Sequence, residues 1–202
     1  MDRIRSAGKL LPVIMAGILM WGSAALAGGG NVLPACAELK GYSLSEMAKA
    51  TAVYNTGIVA GLSETAPKVA MEVLVGDATV KAGTAFYLPI FFVDDSGAAT
   101  PGFPRNVRDE KADQEFLMDY VNEAFGVESF IVQVDGKTTV LSDQYISGVK
   151  TGPLPDGIPA GTHYIVSAAF LTPLTPGVHT VGVGGLIGGQ PVVFLSYQVN
   201  VK

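Results

Sequence analysis

Beyond residue 68, apolar and polar residues alternate with a period of two. The alternation runs through 68–75, 127–141, 163–174, 178–185 and 190–201, and turns rich in proline and glycine separate these segments. A period of two is typical of a β-strand with one buried and one exposed face. Strands at this spacing predict a mainly β fold, specifically an immunoglobulin-like antiparallel β-sandwich.

The segment 76–97 contains the most apolar of the predicted strands. Its centre, FYLPIFFV, is apolar on both faces, as expected for a strand with neighbours on each side. Pro89 has no N–H to donate to a sheet, so it marks an edge position or a bulge. Further along, Asp135-Gly136 between two alternating runs predicts a β-hairpin. In 68–75 the alternation puts Val69, Met71, Val73 and Val75 on one face.

Residues 109–125 have a helical period instead and predict a helix inserted between strands. Asp109, Glu110 and Asp113 lie in its first turns, where negative charge suits the helix dipole, and Gly126 ends it. The predicted apolar face of this helix holds Phe116, Leu117, Tyr120, Val121, Ala124 and Phe125. The opposite face is polar and solvated, with Lys111, Glu115, Asp119, Asn122 and Glu123.

A second, shorter helix is predicted near the N-terminus, over 43–55. Ser43 and Glu46 have the spacing of a capping box, in which each residue bonds the backbone N–H of the other. Gly57 lies near the expected end of this helix, and 57–68 is predicted to be a loop.

The first 27 residues have the three parts of a secretory signal peptide. Arg3, Arg5 and Lys9 precede an apolar run over 10–21, and small residues at 23–27 predict cleavage after Ala27. A retained membrane anchor is the alternative, but the apolar run is short and contains a proline. We therefore expect a secreted or periplasmic protein with no transmembrane span after signal removal.

Cys36 is the only cysteine of the 202-residue chain. It follows Leu-Pro-Ala, which is similar to the box at which bacterial lipoproteins are cleaved and lipidated on cysteine. The box normally abuts the apolar run, whereas GGGNV intervenes here, so lipid anchoring at Cys36 stands as the alternative localisation. A lone cysteine excludes an internal disulfide.

The charge of the chain argues against a nucleic-acid partner. Formal net charge is −5, and removal of the leader takes away three basic residues and one acidic residue, which leaves −7. The remaining chain has only two arginines, Arg105 and Arg108, and no basic run that would neutralise phosphates.

His163 and His179 are the only histidines, and their spacing to each other and to acidic residues matches no common metal motif. His179 shares a strand face with Val181 and Val183, so we interpret it as a histidine of the core or sheet edge, hydrogen-bonded locally. His163 lies at the start of the strand that follows a flexible loop at 150–162. We predict no catalytic, cofactor-binding or metal-binding residue.

The best cluster of oxygen ligands is Asp94-Asp95-Ser96-Gly97. A calcium site there would need further oxygens, for which Asp143 and Asp156 are the candidates; a solvated turn is the default interpretation. Asp135 is assigned to its hairpin turn. Three aromatic residues lie in or beside loops: Phe103, Tyr145 and Tyr164. Such residues either stack on sugars or proteins or cover the edge of the core.

The chain resembles an uncharacterised family of secreted bacterial β-sandwich proteins. The resemblance is carried by four segments in this order: VKAGTAFYLPIFF, FIVQVDGKTTVLSDQYISG, FLTPLTPGVHTVGVGG and YQVNV. Its pattern is an Ala-Gly turn before an aromatic-Pro strand, a Val-Asp-Gly hairpin, and a Pro-Leu-x-Pro-Gly-x-His-x-Val corner. The resemblance covers about 80–201. It implies a β-sandwich and supplies no established reaction or catalytic residue.

The predicted organisation is a signal peptide at 1–27, a flexible entry and helical arm at 28–67, and a β-sandwich domain at 68–202. Our leading hypothesis is an exported non-catalytic module of the cell envelope or exterior that binds a protein or glycan through its loops. Two alternatives stay open: a secreted hydrolase with dispersed carboxylates, since such pairs have no fixed spacing, and a lipid-anchored envelope structural protein.

Overall fold

The computed structural model describes residues 31–59, 71–95, 102–104, 109–150 and 163–202. Two helices and nine strands occur in these residues. The helices are α1 (Leu44–Val59) and α2 (Glu110–Phe125). The strands are β1 (Glu72–Val73), β2 (Ala78–Val80), β3 (Phe86–Asp94), β4 (Ser129–Val134), β5 (Lys137–Val140), β6 (Ile146–Lys150), β7 (His163–Leu171), β8 (Gly177–Ile187) and β9 (Gln190–Val201).

The strands form two sheets, as expected for a mainly β protein. One sheet has four strands in the order β1-β3-β7-β6, and the other has five in the order β2-β9-β8-β4-β5. Most neighbours are antiparallel. The short strands β1 and β2 pair in parallel with β3 and β9, respectively.

The core between the sheets is built from alternate residues of facing strands. Ile165 and Ala169 of β7 lie in it together with Val132 of β4 and Val183 of β8. The intervening residues of β7, among them Tyr164, Val166 and Phe170, belong to a second cluster on the other side of the four-stranded sheet. Helix α1 packs on β6 and β7 on that side, so all nine residues of β7 are buried.

The predicted inserted helix is confirmed as α2. The Asp109 side chain accepts a hydrogen bond from the backbone N–H of Ala112, 3.1 Å away, and the helix is capped by Gly126. The predicted apolar face is confirmed at Leu117 and Val121, which are buried, and at Phe116 and Tyr120, which pack against the core. It is wrong at its C-terminal end, where Phe125 is 55% exposed, and it omits the buried Asp113. The helix thus presents a carboxyl group to the interior.

Helix α1 begins with the predicted capping box. The backbone N–H of Ser43 donates to Glu46 Oε2 at 2.8 Å, and the Glu46 N–H donates to Ser43 Oγ at 3.2 Å. The helix continues to Val59, so Gly57 lies near its end as predicted, and 57–59 is helical rather than part of a loop.

The strand β3 lies between β1 and β7, which confirms an inner strand. Its pairing with β7 shifts register between Pro89 and Phe91, so the proline marks a bulge rather than an edge. The predicted face of 68–75 is wrong in its last residues. Leu74 is buried and Val75 is 50% exposed, because only Glu72–Val73 pairs as a strand.

The segment before α1 lies along the end of β7. The Leu33 N–H donates to the Phe170 carbonyl at 3.0 Å, and the Thr172 N–H donates to the Asn31 carbonyl at 2.8 Å. The Tyr145 hydroxyl donates to the Leu33 carbonyl at 2.7 Å. Residues 31–33 therefore extend the four-stranded sheet beside β7.

The hairpin predicted at Asp135-Gly136 is confirmed between β4 and β5. Val134 pairs with Lys137, and the two turn residues have φ angles of 51° and 79°. Positive φ at both positions is typical of a type I′ turn, which matches the twist of the flanking strands.

Candidate functional site

The most unusual polar arrangement in the described residues surrounds His163, the first residue of β7. Its side chain is 3% exposed, and its Nε2 lies 3.0 Å from Oδ1 of Asp113, whose side chain is 1% exposed. Its Nδ1 lies 2.9 Å from the carbonyl oxygen of Pro104. Both ring nitrogens of His163 thus face oxygen atoms of other chain segments.

Helix α2 brings Asp113 to this position because β6 has no side chain in the way. Gly148 of β6 pairs with Ile165 of β7, and Asp113 Oδ2 occupies the space that a Cβ of residue 148 would need. The close approach of helix and strand thus depends on glycine at position 148.

Nδ1 of His163 faces a carbonyl oxygen, so that nitrogen donates a hydrogen bond, and Nε2 is the ring nitrogen that faces Asp113. Burial raises the pKa of Asp113, and the nearby charge of His163 opposes the rise. Nε2 and Oδ1 are not aligned for a hydrogen bond, and neither has another partner among the described residues, so their attraction is chiefly electrostatic.

Aromatic rings cover the imidazole of His163. The ring of Phe103 meets it edge to face with centroids 5.1 Å apart, and Phe116 of α2 packs on Phe103 at 5.0 Å. Phe103 was a candidate for stacking on a ligand or for covering the edge of the core, and its ring packs against His163 and the core. The cluster shields the contact between His163 and Asp113 from water, which strengthens the attraction.

Asp95 joins the same cluster through the backbone. Its Oδ1 accepts a hydrogen bond from the His163 N–H at 3.0 Å, and its own N–H donates to the His163 carbonyl at 3.1 Å. Asp95 therefore extends the hydrogen bonding between β3 and β7 by one residue beyond the pair of Asp94 and Tyr164. Ser96, Gly97 and Asp156 of the predicted calcium cluster lie outside the described residues, and Asp143 is exposed in a 3-10 turn.

Two chain connections begin and end around this cluster. Lys150, the last residue of β6, pairs with His163, and Asp94 of β3 pairs with Tyr164. Pro104 contacts His163, and Asp109 caps α2 one turn before Asp113. The connection from β3 to α2 and the connection from β6 to β7 therefore share one end of the four-stranded sheet, hereafter the loop end.

His179 has a second and separate set of partners on β8. Its Nδ1 donates to Asp135 Oδ2 and its Nε2 donates to the Thr175 carbonyl, each at 2.7 Å. Asp135 Oδ1 accepts the Thr180 N–H at 2.9 Å. The imidazole, 12% exposed, thus ties the hairpin turn to the corner before β8. This is the local hydrogen bonding that the sequence predicts.

The environment of His179 favours its charged form. The hydrogen bond to Asp135, and then the one to the Thr175 carbonyl, raise its pKa. Partial burial acts to raise the pKa of Asp135, but the hydrogen bonds from His179 and Thr180 outweigh it, and the pKa is lowered. Because both nitrogens of the His179 ring already hydrogen-bond to the protein, neither is free to transfer a proton to a substrate.

The two candidate tyrosines contribute to packing. Tyr164 is 1% exposed and packs on Phe92 with ring centroids 5.4 Å apart. Tyr145 binds the Leu33 carbonyl, as described above. Cys36 is an exposed free cysteine.

The contact between Asp113 and His163 was not predicted from the sequence. Its signal was present, because Asp113 lies four residues before Leu117 and eight before Val121, on one helical face. The acid was instead assigned to the helix dipole. In the described part of the chain no three His, Cys, Asp or Glu side chains are grouped so as to hold a metal ion. No described helix is long and apolar enough to cross a membrane.

Comparison of the chain with protein-family models found no match, and comparison with curated proteins found none either.

Proposed function

We propose that the protein is an exported, non-catalytic β-sandwich module that binds a protein or a glycan through the connections at the loop end. The observation that carries this proposal is the buried contact between His163 and Asp113. It anchors β7 to α2 at the point where two connections meet. Binding loops are typically held on such a rigid base.

The occupied imidazoles support a binding role over catalysis. Each ring nitrogen of His163 and His179 faces an oxygen of the protein at 3.0 Å or less. A general base needs a nitrogen within reach of the proton that it removes from a substrate. The hydrolase alternative would therefore need carboxylates rather than histidines.

The chemistry of the connections suits recognition of a partner surface. The segment 151–162, TGPLPDGIPAGT, has one charged residue, three prolines and three glycines, and 101–104 is Pro-Gly-Phe-Pro. Prolines restrict the free backbone, so less conformational entropy is lost when a partner binds.

We propose further that the sandwich is immunoglobulin-like. The orders β1-β3-β7-β6 and β2-β9-β8-β4-β5 resemble the A-B-E-D and A′-G-F-C-C′ sheets of such domains, with α2 inserted between the second and third main strands. The parallel pairing of β1 with β3 is a departure from this pattern, in which neighbouring strands are mostly antiparallel.

Export with cleavage after Ala27 agrees with the contacts of 31–33. Val32 packs against the core between the sheets, and the backbone of 31–33 is bonded to β7. Cleavage before Cys36 would remove all of these contacts. We therefore favour the soluble exported form over a lipid-anchored one.

The experiment is a glycan array and an extracellular-protein array probed with the exported protein. In the loop variant, residues 153–159 are replaced by a Gly-Ser linker of equal length. The matched control is Val75→Lys, a substitution at an exposed residue outside the loop end. We expect a ligand that the wild type and the control bind and the loop variant does not, while circular dichroism stays unchanged. Binding that survives the loop change, or hydrolysis of an arrayed substrate, would contradict the proposal.

A further inference from the structure

The carboxyl group of Asp113 is buried without a hydrogen-bond donor in the described part of the chain. Its two oxygens and Nε2 of His163 have no hydrogen-bond partner there, although all three atoms are shielded from solvent. The two side chains are 1% and 3% exposed, and Nε2 lies 3.0 Å from Oδ1. An ionised group that is buried without a partner is strongly destabilising. The protonation state of these atoms therefore decides whether the contact attracts or repels.

The orientation of the His163 ring is fixed by its other nitrogen. Nδ1 donates to the carbonyl oxygen of Pro104 at 2.9 Å, and Phe103 packs against the ring edge to face. Nε2 therefore holds a lone pair in the neutral ring and a proton in the charged ring. A lone pair that faces an ionised carboxylate at 3.0 Å is repelled, whereas one proton on Nε2 or on the carboxyl group makes the same geometry attractive.

The charged side chains on the segments around this pair are mostly acidic. In the described residues they are Asp94 and Asp95 at the end of β3, Asp109 and Glu110 at the start of α2, Asp143 in the turn before β6, and Lys150 at the end of β6. Lys111 and Glu115 pair with one another on the exposed face of α2. Burial is the largest cause of the raised pKa of Asp113, and the charges of Asp109 and Glu110 act in the same direction. The excess of acidic groups favours retention of a proton by the pair.

We propose that Asp113 and His163 form a proton-dependent latch, in which one proton held between Nε2 and the carboxyl group keeps α2 on β7. Loss of that proton leaves a buried carboxylate facing a lone pair and releases the first turns of the helix. The pKa of Asp113 is raised by burial from 3.8, so its contribution to the closed state is complete below 3.8 and is lost as pH rises through the raised pKa. Because two interacting groups titrate as a unit, the pH of opening is a property of the pair.

The opening is confined to the start of α2. Leu117 and Val121, further along the helix, are packed in the core between the sheets and hold the rest of the helix in place. Asp113 lies over Gly148 of β6 at the loop end, one turn after the cap at Asp109. A consequence for ligand binding rests on the proposed function, whereas the opening itself does not.

The test is hydrogen exchange of the exported full chain between about pH 5 and pH 9, a range that includes the ordinary titration of histidine. The amides of 113–117 and 163–165 report on the latch after correction for the intrinsic pH dependence of exchange. Loss of one proton changes an opening equilibrium by up to about tenfold per pH unit, so we expect these amides to open about tenfold more or greater at the alkaline end. The amides of 181–183 in β8 should show a smaller change.

Asp113→Asn removes the titration and keeps the contact. The asparagine amide has nearly the shape of the carboxyl group and donates to Nε2 at every pH, so the opening at 113–117 should lose its pH dependence. Asp119→Asn, on the exposed face of the same helix, is the matched control and should behave as the wild type. Both variants keep the pair of His179 and Asp135, which titrates elsewhere in the protein.

Opening at 113–117 that is independent of pH in the wild type would overturn the proposal. An unchanged pH response in Asp113→Asn would do the same. If Asp113→Asn does not fold, the ¹⁵N chemical shifts of the wild-type His163 ring replace it: Nε2 should titrate in step with the exchange at 113–117 while Nδ1 stays protonated. An Nε2 shift that does not change with this step would contradict the latch. Neither measurement involves a ligand, so the latch and the proposed function fail separately.

Discussion

Asp113 Oδ1 lies 3.0 Å from His163 Nε2 and joins helix α2 to the first residue of β7. Both side chains are almost completely buried, and Gly148 makes room for the carboxyl group. This contact connects α2 to the end of the four-stranded sheet where two connections meet.

Asp113→Ala should destabilise the protein by about 3–5 kcal/mol, because it leaves His163 buried without its partner. The measurement is urea unfolding followed by circular dichroism. Asp119→Ala, on the exposed face of the same helix, is the control and should change the free energy of unfolding by less than about 0.5 kcal/mol. Equal effects of the two substitutions would mean that the contact with His163 does not stabilise the fold.

Gly148→Ala should destabilise by about 1–3 kcal/mol, because the new Cβ would overlap Asp113 Oδ2. The same substitution made in the Asp113→Ala background should cost much less, since the carboxyl group is gone. A double-mutant cycle measured by urea unfolding gives this difference. Additive effects would show that the two positions are independent.

The pair of His179 and Asp135 should stabilise the protein most between pH 3.8 and 6.5. The pKa of Asp135 is lowered from 3.8, so its contribution is present above that value and is lost as pH falls through the lowered pKa. The pKa of His179 is raised from 6.5, so its contribution is present below that value and is lost as pH rises through the raised pKa. The free energy of unfolding of the wild type and of His179→Gln, compared across pH, should therefore differ most in this window. A difference that is constant with pH would contradict the assignment.

A chain whose N-terminus is Cys36 should be less stable than one that begins at Gly28. The longer chain keeps Leu33, whose N–H bonds the Phe170 carbonyl and whose carbonyl accepts the Tyr145 hydroxyl. Tyr145→Phe, which removes one of these bonds, should cost about 0.5–1.5 kcal/mol in the longer chain and almost nothing in the shorter one. Thermal unfolding measures both effects, and an equal loss in the two chains would argue against this docking.

The period-two segments predicted the sheets well, because alternation reports directly which residues of a strand face a core. The helical period over 109–125 likewise placed α2 correctly. The contact of Asp113 with His163 was not predicted, since it depends on which strand passes under the helix and on a glycine in that strand. The face of 68–75 was misassigned for a related reason: Leu74 and Met71 pack into different clusters on the two sides of one sheet.

A strand buried on both sides, such as β7, has no solvent side on which substitutions accumulate harmlessly. Each of its nine residues contacts either the interior between the sheets or the layer under α1. In a saturation mutagenesis experiment β7 should appear as an unbroken block of intolerance. The first residues of β8 should instead tolerate changes at alternate positions, with Val178 and Thr180 permissive and His179 and Val181 restrictive.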